Sequence, residues 1–197
     1  MTLVNQGTDM VAANRMALIN VHMLLAAFIF PAAVMFLVTG GLYTWGIKGS
    51  YINEAHMIEL NQPLSADEDQ IRQLIENELQ KLSIDIPSGQ MAIKKGGTSF
   101  KVEWTGSRRD VVLEPTEDER LAKLTVKDTT WYRNLVQLHK AKGGQLFKVY
   151  AAILAVSLFT ILATGFVIAF QIPKYRRSAA FTAVFGVALF LLMVVSS

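Results

Sequence analysis

The residues best suited to chemistry in this chain are three histidines, His22, His56 and His139. An imidazole exchanges a proton near neutral pH or donates a lone pair to a metal. Neither role is completed by a local motif: H-E-x-x-H spacing is absent, and no nucleophile–base arrangement is visible. The chain has no cysteine, which excludes disulfides, thiol catalysis and cysteine-ligated zinc. Asp67, Glu68 and Asp69 pose a choice between a metal or catalytic cluster and the start of a helix. Ser65 as N-cap with Glu68 closing a capping box, and acids in a first turn, favour the helix start. The acids at 117–119 read as a solvated turn, and "KKGGTS" reads as a turn, not a phosphate loop.

The elements that must carry these groups are unusually apolar. Hydrophobic residues make up 52% of the 197, and they gather in three runs: Ala17–Trp45, Val149–Phe170 and Ala179–Val195. A spanning helix needs about 20 mostly apolar residues. The expected organisation is a cytoplasmic N-terminus at 1–16, membrane helices at 17–46, 145–171 and 179–196, a large extracytoplasmic segment at 47–144, and a cytoplasmic basic loop at 172–178. The first run is too long for a cleaved signal peptide and no A-x-A site follows it, so it reads as a retained anchor. Lys174, Arg176 and Arg177 lie between the last two runs without an acid, which places that loop inside and the C-terminus outside. The net charge of +3 is small and its basic residues are scattered, which argues against nucleic acid. Tyr43, Trp45, Trp131 and Tyr132 suit the outer interface.

Within 47–144, "PLSADEDQIRQLIENELQKL" reads as a helix with a stripe of Ile71, Leu74, Ile75, Leu79 and Leu82. The period then changes to two. "QMAIKK" and "TSFKVEW" flank Gly96–Gly97 as a hairpin, and "DVVLEP" and "LAKLTV" add strands, giving about four antiparallel strands. One sheet face packs on the helix and the other is left wet or for a partner. "TTWYRNLVQLHKAKGG" closes the segment as an amphipathic helix on Trp131, Leu135 and Leu138, with a Gly-Gly hinge.

The membrane runs carry paired Thr-Gly steps, Thr39–Gly40–Gly41 and Thr164–Gly165. Small residues let membrane helices approach closely, so these steps read as packing sites; Ala151/Ala155, Gly165/Ala169 and Ser178/Thr182/Gly186 extend the idea at spacing four. Pro31 is expected to kink the first run, freeing the carbonyl near Ala27. An ionisable group inside a membrane is a functional candidate by default. His22, near the inner end, has the plainer reading of a hydrogen bond to Asn20 or Arg15; His139 has that of an interfacial ring beside Lys140 and Lys142.

In this order, His22, Thr39–Gly40, a small outer domain, "LHKAKGG", Thr164–Gly165 and "PKYRR", the chain resembles the PepSY-associated transmembrane helix family. The resemblance implies three transmembrane helices with an extracytoplasmic PepSY-like α+β domain inserted between the first two. It implies a bacterial inner-membrane protein, and it leads to a non-catalytic accessory subunit docking on a larger membrane complex or periplasmic partner. An envelope-peptidase regulator is one alternative. The other is a haem-binding electron-transfer subunit, because larger relatives resemble ferric-siderophore reductases that hold haem between histidines; here His22, His139 or both would be ligands of a haem b. The second membrane run separates those two by ~30 Å, so one haem cannot bridge them in a monomer. A homodimer pairing His22 with its copy, or a partner's ligand, would be needed; His56 and His139 could pair only if the outer segment folds back.

Overall fold

The computed structural model describes residues 3–96 and 99–197. The chain divides into two compact units, one combining the chain up to Ala33 with Ala152–Ser197, the other Val34–Ala151. Helix α1 (Leu3–Thr44) contributes to both, and its helical assignment runs unbroken through Pro31. Proline lacks an N–H, so the Ala27 carbonyl receives no backbone bond from it. Three stretches are long and apolar enough to cross a membrane: Arg15–Thr44 of α1, Gln145–Gln171 (α4) and Pro173–Ser196 (α5). The chain therefore has three helices that could span a membrane, with an antiparallel sheet between α1 and α4 in sequence.

In the first unit, Ile29 and Ala32 of α1 and Leu154, Ser157 and Thr164 of α4 are buried. Small residues, Ala32, Ser157 and Thr164, recur among them, as close helix packing favours. The buried face of α4 is not the expected Ala151/Ala155 pair, of which Ala155 is exposed. One further expectation is corrected. The residues thought to form a basic loop are helical, because Pro173 opens α5 at its first position, where its fixed φ suits a helix start; Lys174, Arg176 and Arg177 lie in the first turns. Of the steps expected to pack inside this chain or against a partner, Gly186 faces open space among the described residues, as does Gly41 in the second unit, which leaves both free for a partner.

The second unit holds a five-stranded antiparallel sheet in the order β1-β5-β4-β3-β2. Its strands are β1 (Tyr51–Glu59), β2 (Met91–Gly96), β3 (Ser99–Trp104), β4 (Arg109–Pro115) and β5 (Leu121–Thr129). Four were expected; β1 was not, since it buries Ile58 alone and lacks a strand's alternation. Helix α2 (Glu68–Lys81) covers one face. Its Ile71, Ile75 and Leu79 meet Val102, Trp104, Val111, Leu113, Leu124 and Val126 in one apolar core. The helix starts later than expected. Asp67 is the N-cap, accepting from the Asp69 and Gln70 amides at 3.0 and 3.1 Å, while Ser65 binds the Gln70 side chain. Leu82 forms the C-cap and is exposed instead of continuing the stripe. The hairpin turn at Gly97 lies outside the described residues; Gly96 pairs with Ser99 beside it.

The opposite sheet face is polar. Register sets Asp110 against Lys127 and Glu114 against Lys123, with Glu103 reaching Lys94 and Lys101. Burial works against the Glu103 charge, but hydrogen bonds from Lys94 and Lys101 outweigh it and hold its carboxyl below the usual value. A depressed carboxylate lends stability above its unfolded pKa and loses it as pH falls through the folded value. The melting temperature of this unit should therefore fall as pH drops below about 4.5, and Glu103→Gln should flatten part of that acid limb in a thermal melt followed by fluorescence.

Candidate functional site

Helix α3 (Trp131–His139) ends on one of the three histidines. Its buried residues are Val136 and Gln137, whereas Trp131 is 78% exposed. The expected Trp131–Leu135–Leu138 stripe is thus rotated, because Gln137 is drawn inward by charge on the sheet.

That charge is Asp110, which is 8% exposed. Its Oδ2 accepts from the Tyr51 hydroxyl at 2.8 Å and from Gln137 Nε2 at 3.2 Å. Its Oδ1 accepts from the Gly106 amide at 3.0 Å, and Lys142 Nζ stands 3.5 Å from Oδ2. The Tyr51 oxygen in turn accepts from Arg133 and Gln137, each at 2.9 Å. Burial, ahead of the opposing Arg133 and the reinforcing Asp110, raises the Tyr51 phenol above its ordinary pKa. The cluster fixes α3 on β1 and β4, and so sets where His139 stands. A cavity of about 210 Å³ opens beside it, lined by Tyr51, Glu103, Asp110, Lys127 and Lys142 among others.

His139 Nδ1 lies 2.8 Å from the hydroxyl of Thr39, which is 2% exposed. The Thr39 hydroxyl also reaches back to the Met35 carbonyl at 2.7 Å. A hydroxyl has a single proton to give. With that proton on the carbonyl, the oxygen accepts from His139, so Nδ1 carries hydrogen and, in the neutral ring, Nε2 keeps its lone pair. Gly40 makes room: a Cβ there would stand 3.1 Å from His139 Cε1. Phe36 packs against the ring at 4.8 Å between centroids.

The first unit repeats this arrangement with other residues. His22 Nδ1 lies 3.0 Å from the Thr164 hydroxyl, which binds back to the Thr160 carbonyl at 2.7 Å. A Cβ on Gly165 would stand 3.3 Å from His22 Cε1. The proton count is the same: with the Thr164 proton on the Thr160 carbonyl, the hydroxyl oxygen accepts from His22 Nδ1. Each Thr-Gly step is a seat for an imidazole: the threonine accepts from the ring and the glycine clears the space. His22 therefore pairs with Thr164, not with Asn20 or Arg15. His139 pairs with Thr39, not as a free interfacial ring.

His56 joins neither seat. It lies on β1 opposite Leu124, and its Nε2 is buried without a partner among the described residues. Among the described residues no three His, Cys, Asp or Glu groups converge as a metal site does. Asp67, Glu68 and Asp69 serve the start of α2. Sequence reasoning missed Tyr51, Asp110, Arg133 and Gln137, whose cluster is assembled from β1, β4 and α3. No protein-family model, curated protein or solved structure matches the chain.

Proposed function

We propose that this chain is a membrane-anchored accessory subunit of the PepSY-associated kind, in the bacterial inner membrane, displaying the α+β unit on the periplasmic side to a larger complex or periplasmic partner. The observation that carries this reading is α5. It has 24 residues, mean hydropathy 2.4 over its apolar window, and no buried residue. Its Ser178, Thr182 and Gly186 face offers small residues at the spacing membrane helices use to approach one another, and a partner helix or a second copy completes it. Affinity purification from native membranes in mild detergent, with mass spectrometry of co-purifying chains, tests it. A stoichiometric membrane or periplasmic partner is expected; recovery of this chain as a lone monomer overturns it.

Topology has its own test, made clean by the lack of native cysteine. Asn61→Cys should react with an impermeant maleimide in intact cells, and Ser178→Cys should react only after the inner membrane is opened. The reverse pattern overturns the orientation.

A second reading, haem-dependent electron transfer, draws on one observation: both clasped rings engage Nδ1 and leave Nε2 without a partner among the described residues. That is how second-shell bonds orient a histidine ligand. The donor set fits one axial ligand at each clasp, His22 or His139, and the second must come from another chain. A bound haem would supply one-electron transfer. A Soret band in the purified, haem-replete protein, lost in His22→Ala or His139→Ala, is the expected signature; its absence removes this reading.

A further inference from the structure

The second unit contains a cavity of about 360 Å³ lined by Thr39, Gly40, Tyr43, Thr44, Val136, His139 and Lys140. That volume lies at the small end of the roughly 300–1,000 Å³ range of ligand sites. Two features of its lining and of the lysine beside Tyr43 define what it takes. First, Lys140 Nζ stands 5.8 Å and Lys48 Nζ 5.2 Å from the centre of the same Tyr43 ring, and neither ammonium has a carboxylate in ion-pair range among the described residues. Each ammonium therefore keeps a positive charge beside that ring which an anion can pair with. Second, with Nδ1 engaged by Thr39, His139 Nε2 is the ring nitrogen left to meet a ligand, and in the neutral ring with hydrogen on Nδ1 it accepts a hydrogen bond.

The level of the cavity identifies the source of the anion. Tyr43 and Thr44 end the membrane-grade stretch of α1. Trp45, Trp131 and Leu146 of the same unit are 86%, 78% and 88% exposed. Exposed indoles at the end of a span belong at the headgroup level. We propose that this cavity seats the headgroup of an anionic phosphodiester lipid with the chemistry of phosphatidylglycerol. Lys48 and Lys140 hold the phosphate, and a glycerol hydroxyl donates to His139 Nε2. The proposal rests on reading α1 as a membrane span.

The test uses the full chain extracted in a neutral detergent, with native mass spectrometry of the lipids it retains. Phosphatidylglycerol, phosphatidylcholine, phosphatidylmethanol and soluble glycerol phosphate are titrated in turn. One phosphatidylglycerol should be retained in preference to phosphatidylcholine, and Lys48→Gln/Lys140→Gln should weaken it about thirtyfold, from roughly 1 kcal/mol per lysine. Lys174→Gln/Arg176→Gln/Arg177→Gln should leave that lipid in place while removing others held by the basic turns of α5. Phosphatidylmethanol, an anionic diester without headgroup hydroxyls, should bind about fivefold more weakly for the lost hydrogen bond; equal binding overturns the role given to His139. Equal retention of phosphatidylcholine, or an unaffected lysine variant, overturns the site. Displacement by glycerol phosphate at matched concentration makes the ligand a soluble phosphate and overturns the lipid. Release of the chain from membranes by salt alone overturns the span reading instead, and a detergent-requiring chain without the lipid preference overturns the lipid proposal by itself.

Discussion

Asp110→Ala should lower the stability of the α+β unit by about 3–5 kcal/mol, the range for breaking one side of a buried charged network. The carboxylate receives the Tyr51 hydroxyl, Gln137 Nε2, the Gly106 amide and, more loosely, Lys142. Truncation leaves those donors facing a hole. Each buried donor left unmade costs about 1–3 kcal/mol, and Gln137 is fully buried, with no route to water. Lys142 is a quarter exposed and finds solvent, so its loss adds little. For a unit of this size the melting temperature should drop by on the order of 10 °C. Trp104, 4% exposed in the core, reports the transition by fluorescence. Asp110→Asn keeps one acceptor oxygen and should lose less than half as much. Equal melts for wild type and Asp110→Ala would mean that α3 is held by its apolar contact at Val136 alone. The larger consequence is at His139, two residues beyond Gln137: loosening α3 loosens its clasp on Thr39.

The parts of this architecture that announce themselves in sequence are those with a period. The three long apolar helices follow from run length, and the core face of β3 follows from Val102 and Trp104 alternating with Lys101 and Glu103. Strand β1 has no such signal: as an edge strand paired only to β5, it carries Asn53, Glu54 and His56 where a central strand would carry valine or isoleucine. The start of α2 was ambiguous because Ser65 and Asp67 are both good caps, and the geometry selects the one whose carboxylate reaches two amides. The Thr-Gly steps and the histidines were each visible, but their pairing joins residues 100 and 142 positions apart and leaves no periodic trace. A depth argument would have found it. If the first two runs are antiparallel spans, His22 near the start of the first comes level with Thr164 near the end of the second, and His139 before the second comes level with Thr39 near the end of the first. The Asp110 cluster had no comparable signal, since three separate elements meet there only once the sheet is formed.

Gly40→Val should cost about 1–3 kcal/mol, the usual penalty for forcing atoms into a packed site, and that cost should shrink sharply when His139 is also truncated. Gly40→Ala places a Cβ 3.1 Å from His139 Cε1, tight enough that the ring must yield by a few tenths of an ångström. Alanine also favours a helix over glycine by up to about 1 kcal/mol, which offsets that strain, so this variant should be near neutral. Valine adds two methyl groups where the imidazole lies and cannot be accommodated by so small a shift. It should expel the ring and leave the Thr39 hydroxyl without its donor. His139→Ala alone removes the hydrogen bond and opens a hole against Phe36, which is also destabilising. If the imidazole is what Gly40 makes room for, valine in the double variant fills the vacated space, and the two losses are far from additive. The same cycle at Gly165 and His22 should behave alike, more mildly, because the approach there is 3.3 Å. Melts of the detergent-solubilised chain and its variants give the four corners of each cycle. Additive losses would mean that the Thr-Gly steps serve some neighbour other than the histidines, and the two clasps would no longer account for why each step lies where it does.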